Sequence, residues 1–182
     1  PMVCPTKEFA IEASKVAQRQ LLQKVAPQAN PKFKVFYPKN YKSLSAVKRD
    51  VYTWLDKLEN QVAVKPDTPA AGKGVGVWGD HFNSRDDLFD HFVANYQHGA
   101  VIIEEKIDGE ESSFQAFCDG KHLVPLPDTR DFKRAFDGDR GPNTGGMGSY
   151  SLSNHLMPFV KLSEYEETAE MVRKINNALL KE

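Results

Sequence analysis

Hydrophobic and polar positions in the first 60 residues recur with the period of amphipathic helices. A first helix is predicted from Thr6, its cap, to about Lys24, with apolar residues every three or four positions on one face. Lys34–Tyr37 has the composition of a short strand. A second helix is predicted from Ser43 to about Leu58, because leucine and valine recur there at spacings of three and four.

The middle of the chain alternates short apolar runs with turn-forming residues. Strands are predicted at Gln61–Lys65, Val75–Trp78 and Val101–Glu105. The first two are joined by a loop over Pro66–Gly74, so they form a hairpin. Ser84–Asp87 has the pattern of a capping box, which opens a helix before the third strand.

Later segments predict one more hairpin and one more helix. Ser112–Phe117 and His122–Leu126 are strand-like and flank Asp119–Gly120, a signal for a two-residue turn. Ser163–Glu166 resembles a second capping box, which opens the last helix. This order of elements predicts an α+β protein with antiparallel sheets and packed helices, and 182 residues suffice for one domain or two small lobes.

One stretch, Arg130–Tyr150, is predicted to be neither helix nor strand, because it contains five glycines and Pro142. An irregular run of this length is usually functional or disordered, and interleaved charges of both signs favour function. Lys133 and Arg134 supply charge-assisted donors for a phosphate or carboxylate, and the backbone of Thr144–Gly148 can form a concavity of N–H groups that suits an anion. A mobile surface loop is the alternative.

Overall charge and composition narrow the class of protein. The net charge of −1 gives no general attraction to nucleic acid or to acidic membranes. The apolar runs are far shorter than a membrane span, and no leader segment is visible, so a cytoplasmic location is expected. Cys4 and Cys118 are expected to be free thiols, and the five histidines form no zinc-binding pair.

A glycine-rich segment, Ala70–Gly76, follows the strand that ends in Lys65. It is not a P-loop, because Gly74 follows Lys73 where serine or threonine is required, and a strand follows instead of a helix. A glycine flap between antiparallel strands can close over nucleotide phosphates. A glycine turn without a ligand is the alternative. Lys65 on a buried strand needs an anionic partner, either a phosphate or a structural carboxylate.

An acidic turn, Glu104–Glu111, begins at the end of the third predicted strand. Carboxylates this close repel one another unless something binds them. The backbone of Glu105–Ile107 can hydrogen-bond a purine edge, and Glu110 can accept from ribose hydroxyls. An exposed acidic turn is the alternative. For Lys15, which lies near the edge of the first helix's apolar face, the alternative is a solvated lysine.

Four segments together resemble the ATP-grasp domain of the phosphoribosylamine–glycine ligase family, the glycinamide ribonucleotide synthetases, and most closely its archaeal members. They appear in the family's order and spacing, and the last is highly specific. They are Glu12–Lys15 (EASK), Ala70–Val75 (AAGKGV), Glu104–Ser112 (EEKIDGEES) and Arg130–Ser151, which includes RDFKR and GPNTGGMGSYS.

The resemblance implies a partial ATP-grasp fold and ATP-dependent amide formation between glycine and 5-phosphoribosylamine through glycyl phosphate. It implies that the ATP-binding residues are Lys15, Lys65, Gly72, Lys73, Gly74, Glu104, Glu105, Lys106, Ile107 and Glu110. It implies catalytic roles for Lys133 and Arg134. The substrate-binding residues that it implies are Asp131, Asn143, Thr144, Gly145, Gly146, Met147 and Gly148.

Three positions depart from the family pattern. Thr68–Pro69 replaces the Gly–Leu that is more usual before the flap. Phe132 stands where histidine is usual and Lys106 where an aromatic residue is common. Because of Phe132, a different ATP-grasp carboxylate–amine ligase is a second interpretation of the chain. A non-catalytic nucleotide-binding module is a third interpretation.

The family also has parts that this chain lacks, so we expect a fragment that is inactive alone. Residues 1–60 would begin the ATP-grasp domain, 61–127 would form its lid subdomain, and 128–182 would hold the substrate loop and the start of the C-terminal part. No metal ligand is predicted in the chain, because the family's Mg²⁺ ligands lie beyond its C-terminal end. The expected partners are ATP, glycine, 5-phosphoribosylamine and the missing domains.

Overall fold

The protein is described by a computed structural model that covers residues 10–68, 74–138 and 140–180, with Asn143 described for its backbone alone. The chain divides into two compact units. The first contains Pro1–Gln23 and Gln28–Ile107, and the second contains Lys24–Pro27 and Asp108–Glu182. The predicted domain boundaries at residues 60 and 127 stay predictions.

Three helices and a four-stranded antiparallel sheet make up the first part of the chain, as the hydrophobic pattern predicts. The elements are α1 (Lys15–Val25), β1 (Phe33–Phe36), α2 (Leu44–Lys57), β2 (Val62–Pro66), β3 (Gly76–Val77), α3 (Arg85–Tyr96) and β4 (Val101–Glu105). The strands lie in the order β1-β4-β2-β3, so β4 pairs with both β1 and β2.

The core of the first unit lies between the sheet and helices α2 and α3. Val47, Val51 and Leu55 of α2 are fully buried, as the three-and-four spacing predicts. The ring of Phe92 on α3 lies 5.0 Å from Tyr96 and 5.5 Å from Phe36, centroid to centroid. This packing fixes the sheet, and therefore the side chains that β2 and β4 carry.

Serine caps set the starts of the helices. Ser43 accepts a hydrogen bond from the N–H of Ala46, and Ser84 accepts one from Asp87, so the predicted helix start at Ser43 and the predicted cap at Ser84 are confirmed. Thr6 lies outside the described residues, and α1 begins at Lys15 rather than as a continuous helix from the N-terminal region. The reason is that Ser14 takes the cap position and accepts from the Ala17 N–H at 3.0 Å.

The second unit contains two hairpins and one helix. Its elements are β5 (Ala116–Cys118), β6 (Leu123–Pro125), β7 (Arg130–Phe136), β8 (Arg140–Tyr150) and α4 (Leu162–Leu179). The β5–β6 hairpin is confirmed, but its turn is centred on Gly120–Lys121, one residue later than predicted. The Asp119 N–H donates to the His122 carbonyl at 3.3 Å, and Gly120 has a φ of 92° that suits the first central position of such a turn.

The start of α4 also differs from the prediction. Lys161, not Ser163, is the N-cap residue, and its N–H donates to the Glu164 carboxylate at 2.8 Å. Because Glu164 is at the third helical position, it reaches back to the cap as in half of a capping box. The signal was therefore present, but it was assigned two residues too late.

Arg130–Tyr150 is a two-stranded antiparallel ribbon, so the prediction of an irregular loop was wrong. Two irregularities in register, on either side of Arg134, absorb residues that do not fit a regular ladder. Gly141 has a φ of 84°, and a Cβ there would lie 2.4 Å from the Phe136 ring, so glycine permits the close crossing. The Thr144–Gly148 segment lies in β8, and the predicted concavity of its N–H groups stays a prediction.

Among the described residues, no helix combines the length and apolarity that a bilayer span requires.

Candidate functional site

A buried carboxylate, Glu104, lies at the centre of a charged cluster in the first unit. Its Oε1 accepts from Lys65 Nζ at 2.5 Å, and its two oxygens accept from Arg19 Nη2 at 3.0 Å and Nε at 2.7 Å. The sheet brings the first pair together, because Glu104 lies opposite Ala63 and Lys65 is two residues further along the same face of β2. Glu104 is 4% exposed.

The charge state of Glu104 follows from these contacts. Burial on its own would raise the pKa of the Glu104 carboxyl. The hydrogen bonds from Arg19 and Lys65 and their positive charges outweigh that effect and hold the pKa below its ordinary value. Glu104 is therefore a carboxylate at neutral pH, bound by two cations.

Lys15 lies close to this carboxylate and its partners. Its Nζ donates to the Thr68 carbonyl at 3.0 Å. Burial and the positive charge of Lys65 lower the pKa of Lys15, and the carboxylates of Asp67 and Glu104 offset part of that shift. Asp67 also accepts from the Val16 N–H at 2.9 Å and so holds the start of α1.

We call this set the Lys15–Lys65 cluster; its members are Lys15, Arg19, Lys65, Asp67 and Glu104. Three cations face two carboxylates, so the cluster has a surplus of one positive charge. An anion near Lys15 and Lys65 would relieve the repulsion between them. The cluster is therefore suited to bind an anionic group.

Sequence reasoning singled out Lys15, Lys65 and Glu104 but missed Arg19. A signal was available, because Lys15 and Arg19 are four residues apart on one helix and therefore lie on the same face. The sequence predicted an anionic partner for Lys65, either a phosphate or a structural carboxylate. In the structure Lys65 pairs with the carboxylate of Glu104.

The C-terminal end of the predicted flap is held by α3. The Gly74 carbonyl accepts from Asn95 Nδ2 at 3.2 Å and lies 2.9 Å from His91 Nε2. Gly74 has a φ of 86°, and a Cβ there would lie 2.7 Å from Asn95 Oδ1, so both conformation and space require glycine. Gly72 and Lys73, the other predicted flap residues, lie outside the described residues.

The predicted adenine-binding segment continues from β4. The N–H of Glu105 donates to the Lys32 carbonyl and that of Lys106 to the Gln61 carbonyl, both at 2.9 Å. Those two N–H groups are therefore already occupied. Lys106 Nζ donates to the Trp78 carbonyl at 3.4 Å, whereas Ile107 is 71% exposed. The role of this segment in adenine binding stays a prediction.

A polar cavity of about 440 Å³ lies in the second unit. It is lined by Glu110, Glu111, Ser112, Ser113, Asp131 and Lys133. Three of the predicted site residues, Glu110, Asp131 and Lys133, are therefore brought together. Ser112 and Ser113 were missed as lining residues, because a serine in a predicted strand gives no distinguishing signal.

Ion pairs surround this cavity. Glu110 Oε2 lies 2.5 Å from Arg130 Nη1, and Glu111 Oε2 lies 3.9 Å from Lys133 Nζ. The Glu111–Lys133 pair is exposed and the Glu110–Arg130 pair is partly exposed, so each can be exchanged for a charged ligand. The mixture of carboxylates, hydroxyls and one ammonium suits a small molecule that carries both amine and oxyanion groups.

Other predicted substrate residues lie along the β7–β8 ribbon. Arg134 Nη1 donates to the Gly141 carbonyl at 3.0 Å, and Thr144 Oγ1 donates to the Lys133 carbonyl at 2.9 Å. Gly145, Gly146 and Gly148 have open space where a side chain would project, and Met147 is exposed. Asn143 lies opposite Arg134 in the register. Arg134 thus stabilises the ribbon, and its predicted catalytic role stays untested.

Within residues 10–68, 74–138 and 140–180, no group of three or more His, Cys, Asp or Glu side chains is arranged to hold a metal ion. These residues by themselves do not fit a magnesium site.

Known proteins resemble this chain throughout. Phosphoribosylamine–glycine ligase of Pyrococcus furiosus is 40% identical over all of this chain and 40% of its own length. The same enzyme of Methanocella arvoryzae is 36% identical, again over all of this chain and 40% of its own length. The chain therefore spans about two fifths of these curated relatives.

Solved structures give the same result. The crystal structure of phosphoribosylamine–glycine ligase from Thermotoga maritima matches with a TM-score of 0.71 and 27% identity, over 93% of this chain and 40% of that one. D-alanine–D-alanine ligase from Bacillus anthracis matches with a TM-score of 0.64 and 18% identity, over 95% of this chain and 50% of that one, which indicates a shared fold alone.

A family profile decides the assignment. The profile for the phosphoribosylglycinamide synthetase, ATP-grasp (A) domain, matches residues 13–182. The predicted α+β class, with antiparallel sheets and packed helices, is confirmed together with the ATP-grasp fold. The chain belongs to the phosphoribosylglycinamide synthetase ATP-grasp (A) domain family.

Proposed function

We propose that this chain is the nucleotide-binding part of a ligase that joins glycine to 5-phosphoribosylamine in purine biosynthesis. In this reaction the glycine carboxylate attacks the γ-phosphorus of ATP and forms glycyl phosphate and ADP. The amine of 5-phosphoribosylamine then displaces phosphate and forms the amide. Similarity to phosphoribosylamine–glycine ligases over the full length of the chain supports this proposal.

The single observation that carries the proposal is the surplus of positive charge in the Lys15–Lys65 cluster. Lys15 and Lys65 lie around one neutralised carboxylate, and burial together with mutual repulsion lowers the pKa of Lys15. A phosphate chain would supply the missing negative charge. Charge gathers between ATP and the attacking carboxylate during phosphoryl transfer, so cations positioned in advance stabilise the transition state.

Other residues complete the proposed assignments. Gly72, Lys73 and Gly74 would cover the phosphates, Glu105, Lys106 and Ile107 would line the adenine position, and Glu110 would bind ribose. Asp131 and Lys133 line the polar cavity, where an ammonium and a carboxylate of glycine would find opposite charges. Arg134 and the segment 143–148 would complete the substrate side.

In this proposal, magnesium is bound by residues other than those that the structure describes. The described residues do not by themselves fit a magnesium site. A cytoplasmic location is proposed because the named relatives are biosynthetic ligases.

Calorimetric titration of the chain with ATP, in the absence and presence of glycine, tests the proposal. ATP is expected to bind, and glycine is expected to change its affinity, since two ligands that react together are thermodynamically linked. D-alanine serves as the matched control amino acid and is expected to leave the ATP affinity unchanged. Absence of ATP binding at millimolar concentration would contradict the proposal.

Phe132 favours a second candidate, another ATP-grasp carboxylate–amine ligase. Its ring is half-exposed and stacks on Tyr150 with centroids 5.7 Å apart, at a position where the resemblance leads us to expect histidine. An aromatic surface there suits a less polar substrate than glycine or 5-phosphoribosylamine. If ATP binds and another amino acid replaces glycine as the linked ligand, this candidate gains and the glycine assignment fails.

A further inference from the structure

Arg19 is the cation of the Lys15–Lys65 cluster to which the resemblance gives no role. Its guanidinium binds both oxygens of Glu104 through Nε and Nη2, at 2.7 and 3.0 Å. A planar fork bound to a carboxylate in this way is the strongest common form of ion pair, and lysine cannot reproduce it. The side chain of Arg19 is 23% exposed, so this contact is largely shielded from water.

Lys65 competes with Arg19 for the same carboxylate. Its Nζ lies 2.5 Å from Glu104 Oε1, the oxygen that also accepts from Arg19 Nη2. If Lys65 were the only partner of Glu104, the positive charge of Lys65 would be cancelled by the carboxylate of Glu104, which is fixed in the interior. A phosphate would then have to draw Lys65 away from a buried carboxylate and leave that carboxylate unpaired, which is costly.

We propose that Arg19 is a positioning residue for nucleotide binding: it neutralises Glu104 so that the charge of Lys65 remains available to a phosphate. This inference rests on the proposed function, because it assigns the phosphate to that site. With Arg19 in place, Glu104 holds the Lys65 ammonium at a fixed point without cancelling its charge. The total charge of Arg19, Lys65 and Glu104 is then +1, and it faces the third cation, Lys15.

Two other roles for Arg19 are physically distinct from this one. A structural role would require only that Arg19 joins α1 to the sheet, and its loss would lower stability without changing the affinity of folded molecules. A direct phosphate ligand would act whether or not Glu104 is charged. The positioning role alone requires the effect of Arg19 on anion affinity to disappear when Glu104 is made neutral.

A double-mutant cycle on the full chain separates these roles. ATP and inorganic triphosphate are titrated by calorimetry into the unaltered protein, Arg19→Met, Glu104→Gln and the double variant. Arg19→Met is expected to weaken binding of both ligands about tenfold, because Lys65 becomes the remaining partner of Glu104. In the Glu104→Gln background, the same substitution is expected to change affinity less than about twofold.

Controls keep the test decisive if a variant is unstable. Arg49→Met removes an exposed cation of α2 and is expected to leave both affinities unchanged. Thermal melts identify the folded fraction of each variant. If Arg19→Met does not fold, Arg19→Gln replaces it in the cycle, since the amide removes the positive charge but can still donate a hydrogen bond to Glu104.

Each outcome has one meaning. Equal affinities of the unaltered protein and the Arg19 variant overturn the positioning role, as does a loss of the same size in both backgrounds. If triphosphate binding depends on Arg19 but ATP binds no more tightly than triphosphate, the positioning role is supported and the proposed function is contradicted. Failure of both ligands to bind the unaltered protein overturns both.

Discussion

Lys65 Nζ lies 2.5 Å from Oε1 of the buried Glu104, on the same face of two neighbouring antiparallel strands. The contact follows from the register, which puts Glu104 opposite Ala63 and Lys65 two residues away. It converts a lysine that ends a strand into an ammonium held at a fixed point. Such a cation loses little conformational freedom when it binds a phosphate.

Glu104 is expected to make the free energy of unfolding depend on pH in the acidic range. Because the pKa of Glu104 is lower in the folded protein than in the unfolded chain, its stabilising contribution is fully present above the unfolded value near 4.5. The contribution is lost as the pH falls through the lower, folded value. Glu104→Gln is expected to flatten this dependence in urea denaturation curves recorded below about pH 5. Glu166→Gln, an exposed change, is the control, and a variant with unaltered acid dependence would contradict the expectation.

Lys15 is expected to titrate below the ordinary range of lysines, and Lys65 is expected to be one cause. Burial is the larger cause and the charge of Lys65 the next. Lys65→Met should therefore raise the pKa of Lys15, because it removes a positive neighbour. NMR titration of ¹³C-methylated lysines measures this shift, and Lys32→Met on the neighbouring surface is the control. No upward shift after Lys65→Met would show that the two ammonium groups do not interact.

Asp128→Asn is expected to stabilise the second unit. Asp128 is 2% exposed, and neither of its carboxylate oxygens has a partner among the described residues. An amide of the same shape removes the cost of burying a charge, so the free energy of unfolding should rise by about 1–3 kcal/mol. Urea denaturation measures it, with the exposed Asp137→Asn as control. A loss of stability in Asp128→Asn would contradict this expectation.

Gly141→Ala is expected to disrupt the β7–β8 ribbon. A Cβ at this position would lie 2.4 Å from Phe136 Cδ2, and the φ of 84° is unfavourable for alanine. The conformational strain alone costs about 1–2 kcal/mol. Amide hydrogen exchange in the ribbon should accelerate, whereas Gly145→Ala, where the added Cβ meets open space, serves as the control. Equal exchange in both variants would contradict the role assigned to Gly141.

Much of the first unit could be predicted from local pattern. The strands near Val62–Pro66 and Val101–Glu105, the helix start at Ser43 and the cap at Ser84 follow from short runs of residues, and all are confirmed. The start of α1 could not be predicted in this way. It depends on Asp67, which is 53 residues from Ser14 in sequence and accepts its hydroxyl hydrogen bond.

The ribbon and the partner of Glu104 required information that local pattern does not contain. Glycine disfavours strands on average, so Arg130–Tyr150 was predicted to be irregular, yet pairing between its two halves and the close crossing at Gly141 select a hairpin. Arg19 and Glu104 are 85 residues apart, and only the fold brings them together. Sequence reasoning could therefore identify charged residues without identifying which ones pair.

The most direct test of the account is the affinity of ATP for the chain with Lys65→Met, measured by calorimetry beside Arg49→Met. The account predicts a loss of affinity of about tenfold or more for Lys65→Met, because a charge-assisted phosphate contact is removed, and no change for Arg49→Met. Equal ATP affinity in the two variants and the unaltered protein would contradict the assignment of the Lys15–Lys65 cluster as the phosphate-binding site.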